Sequence, residues 1–304
     1  MRKVVNSIAS AIRYSRQNRR TVLPGAAAAA LLLFLALWLY GTCESRQLVV
    51  SRFEAVVPKL PKAHDGLKIV VLADLHLCRS MLRDGFIDRL TAAVEREKPD
   101  LIFLLGDYVH LRGPFEMPAF AEISRILAGF KAKHGVYAVT GNHDTMFMDV
   151  GLRQALRDGG VMLLENQGVK RVINGKKFQI AGVNDLTTAG SNPGRACRKL
   201  DKTRPIMMLA HNPMFFDNSR NLKNATVTFA GHLHGGQIRL PLIGARYTPA
   251  RLIGYLEPGF YPAWGEERKM LLLSSGVGSS TLPVRLLCPP EIVVLTLRSL
   301  HGAK

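Results

Sequence analysis

The sequence predicts an α/β domain built around a largely parallel sheet, following one membrane-length apolar segment. Three observations lead there. Five short runs rich in Val, Ile, Leu and other apolar residues each stop at a polar cluster. Segments of helical length separate the first three runs. Thr21 to Cys43 holds no charged residue.

The runs are Leu67-Lys68-Ile69-Val70-Val71-Leu72-Ala73, Leu101-Ile102-Phe103-Leu104-Leu105, Val136-Tyr137-Ala138-Val139, Ile206-Met207-Met208-Leu209-Ala210 and Val227-Thr228-Phe229-Ala230. Apolar stretches this short read as strands buried on both faces. Gly85 to Lys98 and Met117 to Lys131 read as helices between the first three, and strand–helix–strand alternation implies parallel pairing. Later, Val161 to Glu165, Arg171 to Val183, Lys269 to Ser274 and Ile292 to Leu297 form a strand-rich half, with Asn174-Gly175 as a hairpin turn. No internal repeat divides the chain. The expected organisation is a basic segment 1–20, a membrane-crossing helix 21–43, a linker 44–66 and a catalytic domain 67–304.

The runs end at Asp74-Leu75-His76, Gly106-Asp107, Gly141-Asn142-His143-Asp144, His211 and Gly231-His232-Leu233-His234. Ligands of such sheets gather beyond the carboxyl ends of the strands, so the five clusters are expected to face one site. Acid, amide and imidazole groups without thiolate suit Mn, Fe, Zn or Co rather than a structural zinc. A pair of such ions about 3.5–4 Å apart activates water and stabilises a phosphoryl group under attack. Taken singly, an Asp at a strand end is usually a turn or cap residue, and a single His usually packs. The ordered set is what points to metal. His64, His110, His134 and His301 are read as structural, although His110 follows Asp107 by only three residues. Gly231, Gly235 and Gly236 read as turn formers that also let the backbone approach the site.

The order D-x-H, G-D, G-N-H-D, H and G-H-x-H resembles that of the calcineurin-like metallophosphoesterases. The chain is most similar to their membrane-attached bacterial phosphodiesterase branch, from about Leu67 to Ser299. Ser274-Ser275-Gly276-Val277-Gly278 and Cys288-Pro289-Pro290-Glu291 resemble that branch too. The resemblance implies two packed mixed β-sheets flanked by helices, and hydrolysis of a phosphoric ester with two divalent metal ions. Asp74, His76 and His234 would hold one ion, and Asn142, His211 and His232 the other. Asp107 would bridge them beside a shared water or hydroxide. His143 would steady the transition state and protonate the leaving oxygen, a task suited to the histidine pKa, with Asp144 orienting it. A non-catalytic binding protein of this fold would be expected to lack some of these groups, and here none is missing.

The substrate expected is a membrane or lipid-linked phosphodiester or pyrophosphate. Asp74-Leu75-His76-Leu77-Cys78 is similar to the opening motif of an enzyme that hydrolyses UDP-2,3-diacylglucosamine. The alternative is a general envelope phosphodiesterase or phosphatase. The apolar stretch Leu242 to Trp264, and Met146, Phe147 and Met148, are either grips for a substrate or ordinary packing.

Ala26 to Tyr40 with its flanks reaches the length of about 20 residues that crosses roughly 30 Å of hydrocarbon. Trp38 and Tyr40 suit the interface. Arg2, Lys3, Arg13, Arg16, Arg19 and Arg20 precede it without an acid. The positive-inside rule therefore leaves the amino terminus in the cytoplasm and puts the catalytic domain outside the bacterial inner membrane. A monotopic insertion would instead leave the domain on the cytoplasmic face. Arg19-Arg20 resembles a twin-arginine signal, and no small-x-small site follows, so an uncleaved anchor is expected.

The chain of 304 residues carries a net charge of +18. Residues 1–46 hold seven basic and one acidic residue, which leaves 34 basic against 22 acidic. Such a domain attracts anionic lipid headgroups and phosphate-bearing substrates. Nucleic acid is the other partner that charge suggests. No helix-turn-helix, zinc-finger or RNA-binding signature accompanies it, so none is expected. Cys43, Cys78, Cys197 and Cys288 fit no zinc module or redox pair, and Cys78 reads as a small buried apolar side chain.

Overall fold

The computed structural model describes residues 25–110, 116–188, 190–214, 226–242, 244–245, 257–264 and 269–300. Helix α1 (Gly25–Glu44) is long and apolar enough to cross a membrane, about 30 Å at 1.5 Å per residue. Its large side chains, among them Leu32, Phe34 and Leu39, are exposed.

The first sheet contains β1 (Val49–Val57), β2 (Lys68–Leu72), β3 (Leu101–Leu104), β4 (Val136–Ala138), β5 (Val161–Leu163) and β12 (Glu291–Ser299). Its order is β1-β12-β2-β3-β4-β5. The strands from β2 to β5 run parallel, as the alternation predicts. Helices α3 (Phe86–Arg96) and α4 (Phe120–Ala128) make two of the crossovers. Short helices α2 (Arg79–Arg83) and α5 (Arg153–Asp158) complete this side.

The second sheet contains β6 (Gln167–Ile173), β7 (Lys176–Gly182), β8 (Met207–Leu209), β9 (Val227–Ala230), β10 (Gly259–Trp264) and β11 (Lys269–Leu273), in the order β10-β11-β9-β8-β7-β6. Its hairpin turns at Asn174 and Gly175, with φ of 47° and 75°. Two left-handed residues are what a type I′ turn needs. Helix α6 (Pro193–Cys197) lies against its outer face.

The strand period of two sorts the core into layers. Ile69 and Val71 of β2 face the second sheet and meet Phe103, Met207, Leu209 and Phe229. Phe103 and Phe229 pack edge-on at 5.0 Å. Val70 and Leu72 point the other way, onto Leu90, Ile123 and Leu127 of α3 and α4. The result is two mixed sheets with helices outside them.

Two readings gain detail. The segment 44–66 contains β1, which pairs in parallel along its whole length with β12. In the stretch Leu242 to Trp264, residues 243, 246–256 and the side chains of 263 and 264 lie outside the described residues. Within it, Phe260 joins the inter-sheet core beside Phe53 at 6.4 Å, so it packs rather than grips a substrate. Met148 is also core, while Met146 is exposed. Residues 1–24, with the twin arginines, and His301 lie outside the described residues.

Candidate active site

The site forms where β2, β3, β4, β8 and β9 end. Each of the five clusters follows one of these strands, and all five meet at one edge of the sandwich. Asp74, His76, Asp107, His232 and His234 have φ of 50°, 41°, 54°, 72° and 49°. Left-handed backbone at a residue other than Gly costs roughly 1–3 kcal/mol and persists only where the surroundings hold it. Here backbone hydrogen bonds do so: Asp74 N–H donates to Gly106 O at 3.0 Å, His76 N–H to Asp107 O at 2.9 Å and Gly278 N–H to Asp74 O at 2.7 Å. Close approach also requires glycine. A Cβ on Gly141 would lie 2.1 Å from Asp107 Oδ1, and one on Gly231 would lie 2.6 Å from Asp74 Oδ2.

The polar atoms fall into two groups. His76 Nε2 lies 3.1 Å from His234 Nε2, and His234 Nε2 lies 3.5 Å from Asp74 Oδ1. His211 Nε2 lies 3.1 Å from both His232 Nδ1 and Asn142 Oδ1. Asp107 Oδ2 belongs to both groups, 3.5 Å from His76 Nε2 and 3.4 Å from His211 Nε2. Asp107 Oδ1 accepts the backbone N–H of His143 at 2.9 Å. The groups Asp74, His76, Asp107, His234 and Asp107, His211, His232 each have the spacing to hold a metal ion.

The donor set fits a cation. His76 Nδ1 lies 3.2 Å from Val109 O, and His211 Nδ1 lies 2.8 Å from Leu105 O. A carbonyl only accepts, so each Nδ1 carries the hydrogen and each Nε2 offers a lone pair to the site. Neighbouring nitrogen and oxygen atoms of these side chains thus crowd within 3.1 to 3.5 Å of one another, an arrangement that a shared positive charge favours.

Burial sets the charge states. It pushes Asp74 up to about 7, with the His211 charge opposing and the Asp107 charge adding. It drives His76 and His234 well below the ordinary histidine value. It also takes His232 down to about 4, helped by the charge on His211. For Asp107, burial acts upward and is the largest single influence. The charge and hydrogen bond of His211, with His76 and His143, outweigh it and hold the carboxyl below the usual range. For His211 burial acts downward, but the charge and hydrogen bond of Asp107, with Asp74 and Asp185, carry it up to about 10. Without metal, the His211 proton supplies the positive charge.

Asp144 has a structural task that the sequence did not announce. Its Oδ2 accepts the N–H of Asp107 at 2.7 Å and of Gly141 at 2.8 Å, and its Oδ1 accepts the N–H of Tyr108 at 2.8 Å. The carboxylate joins two loops of the site through their backbone. His143 is half-buried, with its ring edge-on to His76 at 4.8 Å between centroids.

Two residues were not legible as parts of the site. His110, read as structural, stacks on His76 at 4.4 Å and groups with His76 and His143. Its place three residues after Asp107 was the available signal. Arg285 is fully buried and donates to Ser275 O at 3.0 Å, Cys288 O at 3.1 Å and Gly276 O at 3.2 Å. That guanidinium holds the Gly276 to Gly278 turn against Asp74 and adds positive charge behind it. Cys78 is buried as expected, and all four cysteines are free.

A cavity of about 540 Å³ opens over Asp107, Asn142, His143, His232 and His234, with Ile238, Leu240 and Leu282 at its rim. A smaller one of about 190 Å³ lies on the other side of His76 and is walled partly by His110, Thr42 and Arg46.

A β-sandwich with two imidazole–carboxylate groups sharing one aspartate at its strand ends has the build of a metal-dependent hydrolase. The chain belongs to the calcineurin-like phosphoesterase family, whose model matches residues 67–236, and it is a metal-dependent phosphoric ester hydrolase. It is 32% identical over 238 residues to the phosphodiesterase YaeI of Escherichia coli, covering 76% of this chain and 82% of that one. It is 26% identical to a transmembrane protein with metallophosphoesterase domain of Danio rerio, covering 92% and 63%. It is 25% identical to the UDP-2,3-diacylglucosamine pyrophosphatase LpxG of Chlamydia muridarum, covering 85% and 92%. The family uses divalent metals, and the clustered Asp and His side chains are suited to hold them.

Proposed function

We propose that this chain is a dinuclear phosphodiesterase or pyrophosphohydrolase acting on a membrane phosphate ester or a lipid-linked one, UDP-2,3-diacylglucosamine among the candidates. The observation that carries the dinuclear reading is the position of Asp107 Oδ2, within 3.5 Å of an imidazole from each group. Asp74, His76 and His234 would hold one ion and Asn142, His211 and His232 the second, with Asp107 shared by the two groups.

Divalent ions held there would supply Lewis-acid chemistry, lowering the pKa of water and offsetting phosphoryl charge. The chain's own residues do the rest. Asp107 and Asp144 fix the loop that carries His143. The His143 imidazole lines the cavity and protonates the leaving oxygen. Leu240 and Leu282 give the leaving group an apolar wall.

The chain is anchored by α1, with its catalytic domain outside the cytoplasm. The basic, acid-free residues before the uncharged span support that orientation. The excess of basic over acidic residues in the domain supports attraction to anionic lipid.

The test uses the purified full chain loaded in turn with Mn²⁺, Zn²⁺, Co²⁺ and Fe²⁺. Turnover is measured on bis(4-nitrophenyl) phosphate, a phospholipid diester and UDP-2,3-diacylglucosamine. The expectation is faster turnover of a lipid ester than of the soluble one; equal slow rates on all three would sink lipid preference. Asp107→Ala is expected to release metal, whereas His143→Ala keeps metal and loses most turnover. Metal loss from the His143 variant would show that the division of roles is wrong.

A further inference from the structure

We infer that the mouth of the catalytic cavity lies in the bilayer interface beside the anchor, so that substrate enters sideways from the leaflet rather than from bulk water. This rests on the phosphoesterase reading and on α1 as the anchor, and it names where the lipid ester comes from.

The end of α1 is built into the domain. Tyr40 is half exposed, but Gly41 and Glu44 are buried. A Cβ on Gly41 would meet Arg285 O at 3.0 Å and Val284 Cβ at 3.3 Å. Arg285 N–H donates to Gly41 O at 3.0 Å. The Glu44 carboxylate accepts the N–H groups of Leu287 and Cys288, each at 2.8 Å. A helix held by three hydrogen bonds at its last turn does not swing as a tether would. The depth at which it leaves the lipid sets the depth of the segment 284–288.

That segment is one strip away from the cavity rim. Arg239 N–H donates to Leu286 O and Leu286 N–H to Gln237 O, both at 2.9 Å. Gln237 Nε2 donates to the carbonyls of Ser280, Leu282 and Val284. Ile238, Leu240 and Leu282 then form the rim of the cavity. A chain spans at most about 3.6 Å per residue, so Leu282 and Leu287 lie within roughly 11 Å of the segment's bond to Gly41. The polar zone on each side of the hydrocarbon is about 5–8 Å deep.

The side chains lining this cavity, and two near them in the chain (Leu242 and Leu287), match such a setting. Leu242 is wholly exposed, and Ile238, Leu240, Leu282 and Leu287 are each more than a third exposed. Exposed apolar groups gathered on neighbouring segments mark an interaction surface, unlike the same groups scattered singly. With these side chains at the acyl–headgroup boundary, a lipid phosphate can enter the cavity that Asp107 and His143 line while its chains stay in the leaflet.

The test measures depth, not turnover. The full chain carrying Cys43→Ser is reconstituted into phosphatidylcholine–phosphatidylglycerol vesicles. A nitroxide is attached at Leu242→Cys, at Leu287→Cys or at Val172→Cys, the last being exposed at the far end of β6. Circular dichroism melting confirms that each variant is folded. Labels at 242 and 287 are expected to collide with oxygen and lose access to an aqueous nickel chelate, with the reverse at 172. Nickel access at 242 and 287 equal to that at 172 overturns the inference. Hydrolysis of bis(4-nitrophenyl) phosphate by the Cys43→Ser chain in the same vesicles is read separately. Absence of turnover sinks the phosphoesterase reading and leaves the depth pattern to decide the placement.

Discussion

Asp144 Oδ2 receives the backbone N–H of Asp107 at 2.7 Å, so a fully buried carboxylate fixes the main chain of the residue whose side chain joins the two histidine groups. The same oxygen receives Gly141 N–H, and the partner oxygen receives Tyr108 N–H. Burial pushes this carboxyl up to about 7, with the Asp107 charge adding and the backbone hydrogen bonds opposing. Asp144→Asn keeps the shape but turns an NH₂ toward N–H donors. A buried donor left unsatisfied costs roughly 1–3 kcal/mol. The variant is therefore expected to unfold at lower urea and to bind less metal at a given free metal concentration. Urea titration and metal analysis check this. If stability and metal content hold while turnover falls, Asp144 serves His143 instead.

Metal uptake should release protons. His211 is carried up to about 10 and Asp74 up to about 7 in the metal-free protein. A group with a raised pKa keeps its proton below that value, and the incoming ion must displace it. Between pH 7 and 10 the proton on His211 is the main competitor, so apparent affinity should rise by about tenfold per pH unit. As pH falls through 7, Asp74 also takes a proton and affinity falls more steeply. Asp107, held below the usual range by His211 despite burial, stays ionised throughout. Calorimetric titration of Zn²⁺ into apo protein, in buffers of different ionisation heat, counts the protons. Zero release at pH 8 would contradict the assignment of His211 as a ligand.

The five clusters were legible because each ligand sits beside the strand that aims it. A Val- and Ile-rich run reports its own end, and the residue there reports its chemistry. The Asn174-Gly175 hairpin was legible for the same local reason. What escaped depends on partners far away in sequence. β1 carries Arg52 and Glu54 at its outer positions and gains its place by pairing with β12. Arg285 looks like any surface arginine until the carbonyls of Ser275 and Gly276 surround it. His110 reaches His76 only because the loop after Asp107 folds back, with Leu77 N–H bonded to Tyr108 O at 2.9 Å. Nor does the place of Asp144 beside His143 announce that its carboxylate also accepts the backbone N–H groups of Asp107, Tyr108 and Gly141.

The Glu44 clamp separates a built-in anchor from a flexible tether. Its carboxylate is buried and satisfies two backbone N–H groups at 2.8 Å. Glu44→Ala leaves both donors without an acceptor, at about 1–3 kcal/mol each. A domain of this size loses about 2–4 °C of melting temperature per kcal/mol. The variant in detergent should therefore melt several degrees lower, and Glu44→Gln, which keeps one acceptor oxygen, should fall between it and the parent. The Glu44 carboxylate bonds to Leu287 and Cys288, which are not proposed metal ligands, so hydrolysis of a soluble diester should persist. Hydrolysis of a lipid ester in vesicles should drop more, because the rim is no longer held at a fixed depth. Protease cleavage between Gly41 and Val49 should also quicken. If Glu44→Ala melts like the parent and treats soluble and lipid esters alike, α1 is only a leash, and the geometry at Gly41 and Leu287 carries no functional weight.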